Sequence, residues 1–382
     1  MLASHRRLRK LNIQAVRVGK TALGLGEVTS HLFSSLATVD SLSRVEGSSQ
    51  LDGRDPMRSR IIFSVAVLSI LGVGVSDLRA GMVLTAAGTA QGFTLTTFVD
   101  SFPNGGNIGP IGITFNNSGQ AIIGDYNTGN MYIFNDFNGQ HASPPAITGN
   151  DGSGIAGLVN LGGNLYGAQQ FTGSLLALNA NGTINHTVVT GLPSITGLVG
   201  DPFTGHLYAS ISGQIVEIDP VTGHWTTFEV VSADGLTLSA DGSTLYAERG
   251  GFSVVGYSTA TGLQVYDSDI IGGTPDGIAL GTGGLAGNLF VNTNQGFVFE
   301  INLTTNQETI IASGGSRGDF VVVDPNNDSL LLTQTDSVLR LTAPNGSGFE
   351  GAVPLPSTAL AGLGLFCALG AVKVLRRKSA VV

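Results

Sequence analysis

The chain has 382 residues, 42% of them hydrophobic and only 12% charged, with 56 glycines. Low charge, abundant glycine and regularly spaced apolar runs exclude a disordered chain and argue against a helical one; they suit a turn-rich all-β protein. The formal net charge is −9, yet every lysine lies near an end, and between Gly81 and Ala352 only Arg249, Arg317 and Arg340 face 21 aspartates and glutamates, a formal −18. Such a body repels nucleic acid and anionic lipid. It suits solubility outside the cytoplasm or, alternatively, capture of a divalent cation. The single cysteine, Cys367, excludes an intrachain disulfide framework and a cysteine metal site.

Residues 1–56 include a basic run (Arg6, Arg7, Arg9, Lys10) and precede a second methionine, Met57. Arg58 and Arg60 are followed by an apolar run, Ile61–Val73, and then by small residues. That is the order of a signal peptide, with cleavage after Ala80 or Ala87. Residues 57–80 are therefore expected to be the signal peptide and residues 1–56 an over-extended start. The alternative is a long cytoplasmic arm before a signal anchor. Both place the body outside the cytoplasm.

Residues 91–352 carry a repeat. Six first halves read Ile111-Gly112-Ile113, Ala156-Gly157-Leu158, Thr196-Gly197-Leu198, Asp234-Gly235-Leu236, Asp276-Gly277-Ile278 and Gly318-Asp319-Phe320. The second halves are Ala121-Ile122-Ile123, Asn164-Leu165-Tyr166, His206-Leu207-Tyr208, Thr244-Leu245-Tyr246, Asn288-Leu289-Phe290 and Ser329-Leu330-Leu331. A period of about 40 residues with strand-like segments only predicts a six-bladed β-propeller. The glycine of each first strand fits the crowded axis, and the sixth unit is expected to carry Asp319 in its place. The sixth unit also lacks a fourth strand. The isolated segment Phe93–Val99 is expected to supply it and close the ring.

Propeller ligands meet the face built from the loops entering the first strand and those joining the second and third. The entering loops offer Asp234, Asp276 and Asp319, with Arg317 nearby; the connecting loops offer Asp125, Asn127, Glu248, Arg249, Asn292, Asn294 and Asp336. Carboxylates, amides and arginines so placed could hold calcium or a polar sugar. The competing reading is that they cap turns. None of the six histidines is expected at the channel mouth, and no nucleophile elbow, zinc spacing or phosphate loop is present. No catalytic residue and no required cofactor is assigned.

These repeats resemble the six-bladed propellers of the NHL, streptogramin-lyase and gluconolactonase group. In that resemblance gluconolactonases hold a metal with Glu, Asn and Asp, and streptogramin lyases use a histidine with a metal. Glu248, Asn292 and Asp319 are of the right types, but no motif places them on the gluconolactonase positions.

The C-terminus reads Val353-Pro354-Leu355-Pro356, an apolar stretch Ala359–Val374, then Arg376-Arg377-Lys378. With its flanks the stretch approaches the roughly 20 residues of a transmembrane helix, and the basic cluster is a stop-transfer signal. Residues 353–378 resemble a PEP-CTERM sorting signal, with Leu355 where that family usually has Glu. The resemblance implies processing by an exosortase, a membrane protease, and delivery to the cell surface or matrix. The expected function is a non-enzymatic binding or scaffold propeller, membrane-anchored before processing, with extracellular polysaccharide as a partner. The alternative is a metal-dependent hydrolase or lyase, favoured if three or more carboxylates or amides converge at metal-bonding reach.

Overall fold

The alternation of short apolar strands with Gly-, Asn- and Thr-rich turns leaves each segment able to bury its apolar residues only against a neighbouring sheet. A computed structural model of the chain describes residues 81–103, 108–152 and 154–350. The leader, the signal-peptide unit and the sorting-like tail lie outside those residues. Among the described residues no helix is long and apolar enough to cross a membrane.

Six antiparallel sheets follow one another along the chain as the blades of a β-propeller. The first blade is Pro110–Phe115, Ala121–Asp125, Asn130–Phe134 and Ile147–Asn150, and the second is Ile155–Leu161, Asn164–Gln169, Ser174–Leu178 and Ile184–Val189. The third is Leu198–Gly200, Leu207–Ile211, Gln214–Ile218 and Trp225–Glu229, and the fourth is Ala233–Leu238, Thr244–Arg249, Ser253–Ser258 and Gln264–Asp267. The fifth is Pro275–Thr282, Asn288–Thr293, Val298–Asn302 and Glu308–Ser313. The sixth takes Val321–Val323, Leu330–Thr333 and Val338–Thr342, and its outer strand is Thr94–Asp100. Thr94 pairs with Thr342 and Thr97 with Leu339, so the start of the described chain completes the last blade.

Apolar faces of adjacent blades form the core. At the closing seam Phe98, Val99, Ile113, Tyr132, Phe134, Leu331 and Val338 pack in one cluster. Arg340 pins that seam: its guanidinium meets Asp136 of the first blade and Asp324 (2.8 Å), and lies 4.8 Å from the centre of the Phe98 ring.

The first-strand glycines sit where sterics demand. A Cβ on Gly197 would lie 1.9 Å from the Asp234 carbonyl oxygen, and one on Gly235 would lie 1.9 Å from that of Asp276. Each inner strand thus abuts the backbone of the next blade. Strand register corrects the expectation for the sixth unit. Leu236 pairs with Ala247, Ile278 with Val291 and Val321 with Leu332. Asp319 is therefore equivalent to Asp234 and Asp276, and Phe320 takes the glycine's place. The sixth phrase is slipped by one residue.

Two additions were not legible in the repeat. Upstream of the closing strand, Val83–Leu84 extends the outer edge of the fifth blade, and a short helix, Ala86–Gln91, packs on it. Thr85 caps this helix, and Gly88 lets it approach the Ile311 carbonyl, where a Cβ would lie 2.2 Å away. At the other end, Gly348–Glu350 pairs with Leu280–Thr282, the far end of the fifth inner strand. Phe349 is buried there against Phe290, and Glu350 accepts from the Ala240 amide in the fourth blade. The last described residues therefore sit on the lower face, opposite the loops that enter the inner strands.

Candidate functional site

Register places the polar side chains of the upper channel in two layers. The first is the residue before each first-strand glycine position: Thr196, Asp234, Asp276 and Asp319 in blades three to six, against Ile111 and Ala156 in blades one and two. In blades one, two, four and five a register shift falls at this point, and a bulge re-aims the side chain it carries. The second layer comes from the second strands: Ser210, Glu248, Asn292 and Thr333, against Gly124 and Ala168. Four of the six blades are polar at both levels, and two are small or apolar.

The four polar blades are tied together across their seams. Arg317 donates to Asp319. Asn294 Nδ2 donates to Asp276 Oδ2 at 3.0 Å. Asn292 reaches into the sixth blade, donating to the Thr333 carbonyl at 3.3 Å, while its Oδ1 lies against Gly318. Glu248 accepts from the Gly251 amide. Arg317 also influences Asp234 and Tyr126, so its charge bears on both sides of the channel.

Burial dominates the titration of this group. It pushes Glu248 up to about 8, with the Asp234 charge adding to the rise. It raises Asp234 to about 6, opposed by the Thr196 hydrogen bond and by Arg317. Asp276 stands well above the usual range through burial and the neighbouring Asp234, Asp319 and Glu248 charges. Asp319 is raised by burial against the pull of Arg317. Asp234 has some surface open to the channel, yet protein surrounds it on the scale over which charge is screened, and that surrounding governs its titration. Near neutral pH the floor thus holds neutral Glu248 beside ionised Asp234.

Two acceptors in this floor have no partner among the described residues: Asn292 Oδ1, wholly buried, and Asn294 Oδ1. A buried acceptor without a partner is costly.

Asp234, Glu248, Asp276, Asn292, Asn294, Arg317 and Asp319 come together. The other candidates turn elsewhere. Arg249 forms a bidentate pair with Asp267 on the outer strand of its own blade (2.7 and 3.1 Å). Asp125 caps a turn, accepting from the amide and the hydroxyl of Thr128, both at 2.7 Å. Asn127 bonds the Ile108 carbonyl and holds the loop entering the first blade. Asp336 is exposed, and its carbonyl accepts from the Phe102 amide. Among the histidines, His141 pairs with Asp100 and His206 with Glu217, while His186 lies on an outer strand and His224 just before one.

Thr196, Ser210 and Thr333 escaped the sequence reading, as did the rim residues Tyr126, Gln170, Phe171 and Phe252. A fixed offset marked the second layer: Ser210, Glu248, Asn292 and Thr333 each stand three residues after the leucine of Leu207-Tyr208, Leu245-Tyr246, Leu289-Phe290 and Leu330-Leu331.

A metal centre does not fit these side chains as they stand. Among the described residues no three His, Cys, Asp or Glu groups are arranged to hold an ion. Asp319 is paired with Arg317, Asp276 accepts from Asn294, and Glu248 accepts from a backbone amide.

No family model matches the sequence, and comparison with curated proteins finds no match. Solved structures share the fold. A gluconolactonase from Xanthomonas campestris superposes with a TM-score of 0.55 at 14% identity, over 69% of this chain and 95% of that one. An auxiliary nutrient binding protein from Bacteroides thetaiotaomicron gives 0.50 at 10% identity, over 68% and 76%. A virginiamycin B lyase from Staphylococcus aureus gives 0.45 at 14% identity, over 65% and 99%. The first two likenesses agree with the fold given by the six sheets; with identities this low they speak to fold alone.

Proposed function

We propose that the protein is an exported, surface-associated propeller that binds polysaccharide at its channel mouth without transforming it. The observation that carries this reading is the floor itself. Arg317 is bonded to Asp319, Asn294 to Asp276 and Glu248 to the Gly251 amide, while Asp234 keeps surface toward the channel for ligand hydroxyl or amine groups. Export rests on the signal-like unit before Ala80 and the sorting-like tail after Ala352, the tail being the substrate of an exosortase-like protease. Of the two cleavage points, the fold favours Ala80. A cut after Ala87 would remove buried Met82, the cap residue Thr85 and the first turn of the helix that packs on the fifth blade. The test is a saccharide-binding screen of the purified mature protein, with mass spectrometry of its two ends. Binding weakened by Asp234→Asn, on a chain starting at Gly81, is the expected outcome; no saccharide bound contradicts it.

One observation favours the hydrolase or lyase alternative. Neutral Glu248 beside ionised Asp234 is a pair pushed apart in pKa, the pattern of an acid–base couple. Turnover of a lactone or glycan by the wild type, abolished in Glu248→Gln, would establish it.

A further inference from the structure

The connections between second and third strands crown the upper face, and four of the six carry an aromatic ring: Tyr126, Phe171, Phe252 and Phe297. Phe171 and Phe252 are each 65% exposed, which a soluble surface does not require of two phenylalanines placed alike on different blades. Phe171 stacks edge-on to Tyr126 with ring centres 5.3 Å apart and lies across Gly154, where a Cβ would come 2.6 Å from the ring. The Tyr126 hydroxyl in turn bonds Gln170, which reaches Ser194 of the next blade at 3.0 Å. At Phe252 the backbone is anchored, its carbonyl accepting from the Ile271 amide at 2.7 Å, beside exposed Ile270. The rim therefore offers a held aromatic ring on blade two and an exposed one on blade four around a floor of carboxyls.

We propose that rim and floor together bind a polysaccharide bearing free amines, its ring faces on Phe171 and Phe252 and an ammonium group over Asp234. This rests on the saccharide-binding reading above and names the polymer. Pyranose rings present apolar faces to aromatic rings and polar edges to hydrogen-bonding groups. Charge selects among polymers. Arg317 is matched by Asp319, so the part-exposed Asp234 has no ion-pair partner of its own. The body, at a formal −18 from three arginines and 21 carboxylates, repels uronate and sulfate polymers and draws in a cationic one.

Calorimetric titration of the full mature protein with glucosamine hexamer, its fully N-acetylated counterpart and glucosamine monomer decides the matter. The amine hexamer should bind at least about tenfold more tightly than the acetylated one and weaken with added salt. Phe171→Ala and Phe252→Ala, at exposed positions that do not threaten folding, should each weaken the hexamer about tenfold and leave the monomer unchanged. Equal affinity for the two hexamers overturns the amine assignment and leaves saccharide binding standing. Hexamer affinity unchanged in both phenylalanine variants overturns the rim. Binding of neither hexamer overturns this inference and the saccharide reading together.

Discussion

Glu248 and Gly235 show how single residues set the behaviour of the mouth. A carboxyl whose pKa rises on folding stabilises the fold fully below its unfolded value and loses that contribution as pH climbs through the folded value. For Glu248 the window runs from the ordinary 4.5 to about 8. Thermal melts should therefore show the melting temperature falling between pH 6 and pH 9. Glu248→Gln, which keeps an acceptor for the Gly251 amide, should flatten that fall and raise the melting temperature at pH 9; an unchanged profile would contradict the buried neutral carboxyl. At Gly235 a methyl group would meet the Asp276 carbonyl at 1.9 Å, and backbone cannot give way cheaply. Gly235→Ala should cost about 1–3 kcal/mol in denaturant titration. Gly272→Ala, whose Cβ would find nothing nearer than 3.7 Å, should stay within about 0.5 kcal/mol.

The closing strand Thr94–Asp100 shows what the repeat made legible at the scale of elements. An orphan apolar segment before six units, the last short of a strand, leaves one economical closure, and the pairing of Thr94 with Thr342 follows it. Deleting Thr94–Val99 should lower the melting temperature by many degrees, because it exposes Leu331, Val338 and the edge of the sixth blade. Arg340 should matter as much as the strand. Arg340→Ala leaves Asp136 and Asp324 without their cation, and a denaturation measurement should show a loss of about 3–5 kcal/mol. The helix Ala86–Gln91 was not legible because its six residues carry too little periodicity; its form depends on the Thr85 cap and on contact with the fifth blade. The strand Gly348–Glu350 was hidden likewise, being three residues that gain a partner only at the inner edge of the fifth blade. The slip of Asp319 against Asp276 was invisible for a related reason: register is a property of pairing, and the phrase Gly318-Asp319-Phe320 imitates the others one residue out of step. Glu248 and Asn292 could be picked as types on a loop face, but that Ser210 and Thr333 share their level required the ladder.

At the scale of the whole molecule, the ring has two unlike faces. The lower face carries the last described strand, Gly348–Glu350, against the far end of the fifth blade's inner strand. The upper face carries the acidic floor, Arg317 and the aromatic rim, in a body almost without cations. The central claim is that this upper mouth is where the protein meets a saccharide. Hydrogen exchange of the mature protein with and without glucosamine hexamer tests it most directly. Protection on binding should appear in the connections 126–129, 170–173 and 250–252 and in the segment 314–320, and be absent from the lower turns 201–205 and 240–243. Protection confined to the lower turns or the outer strands, or none anywhere, would contradict the account.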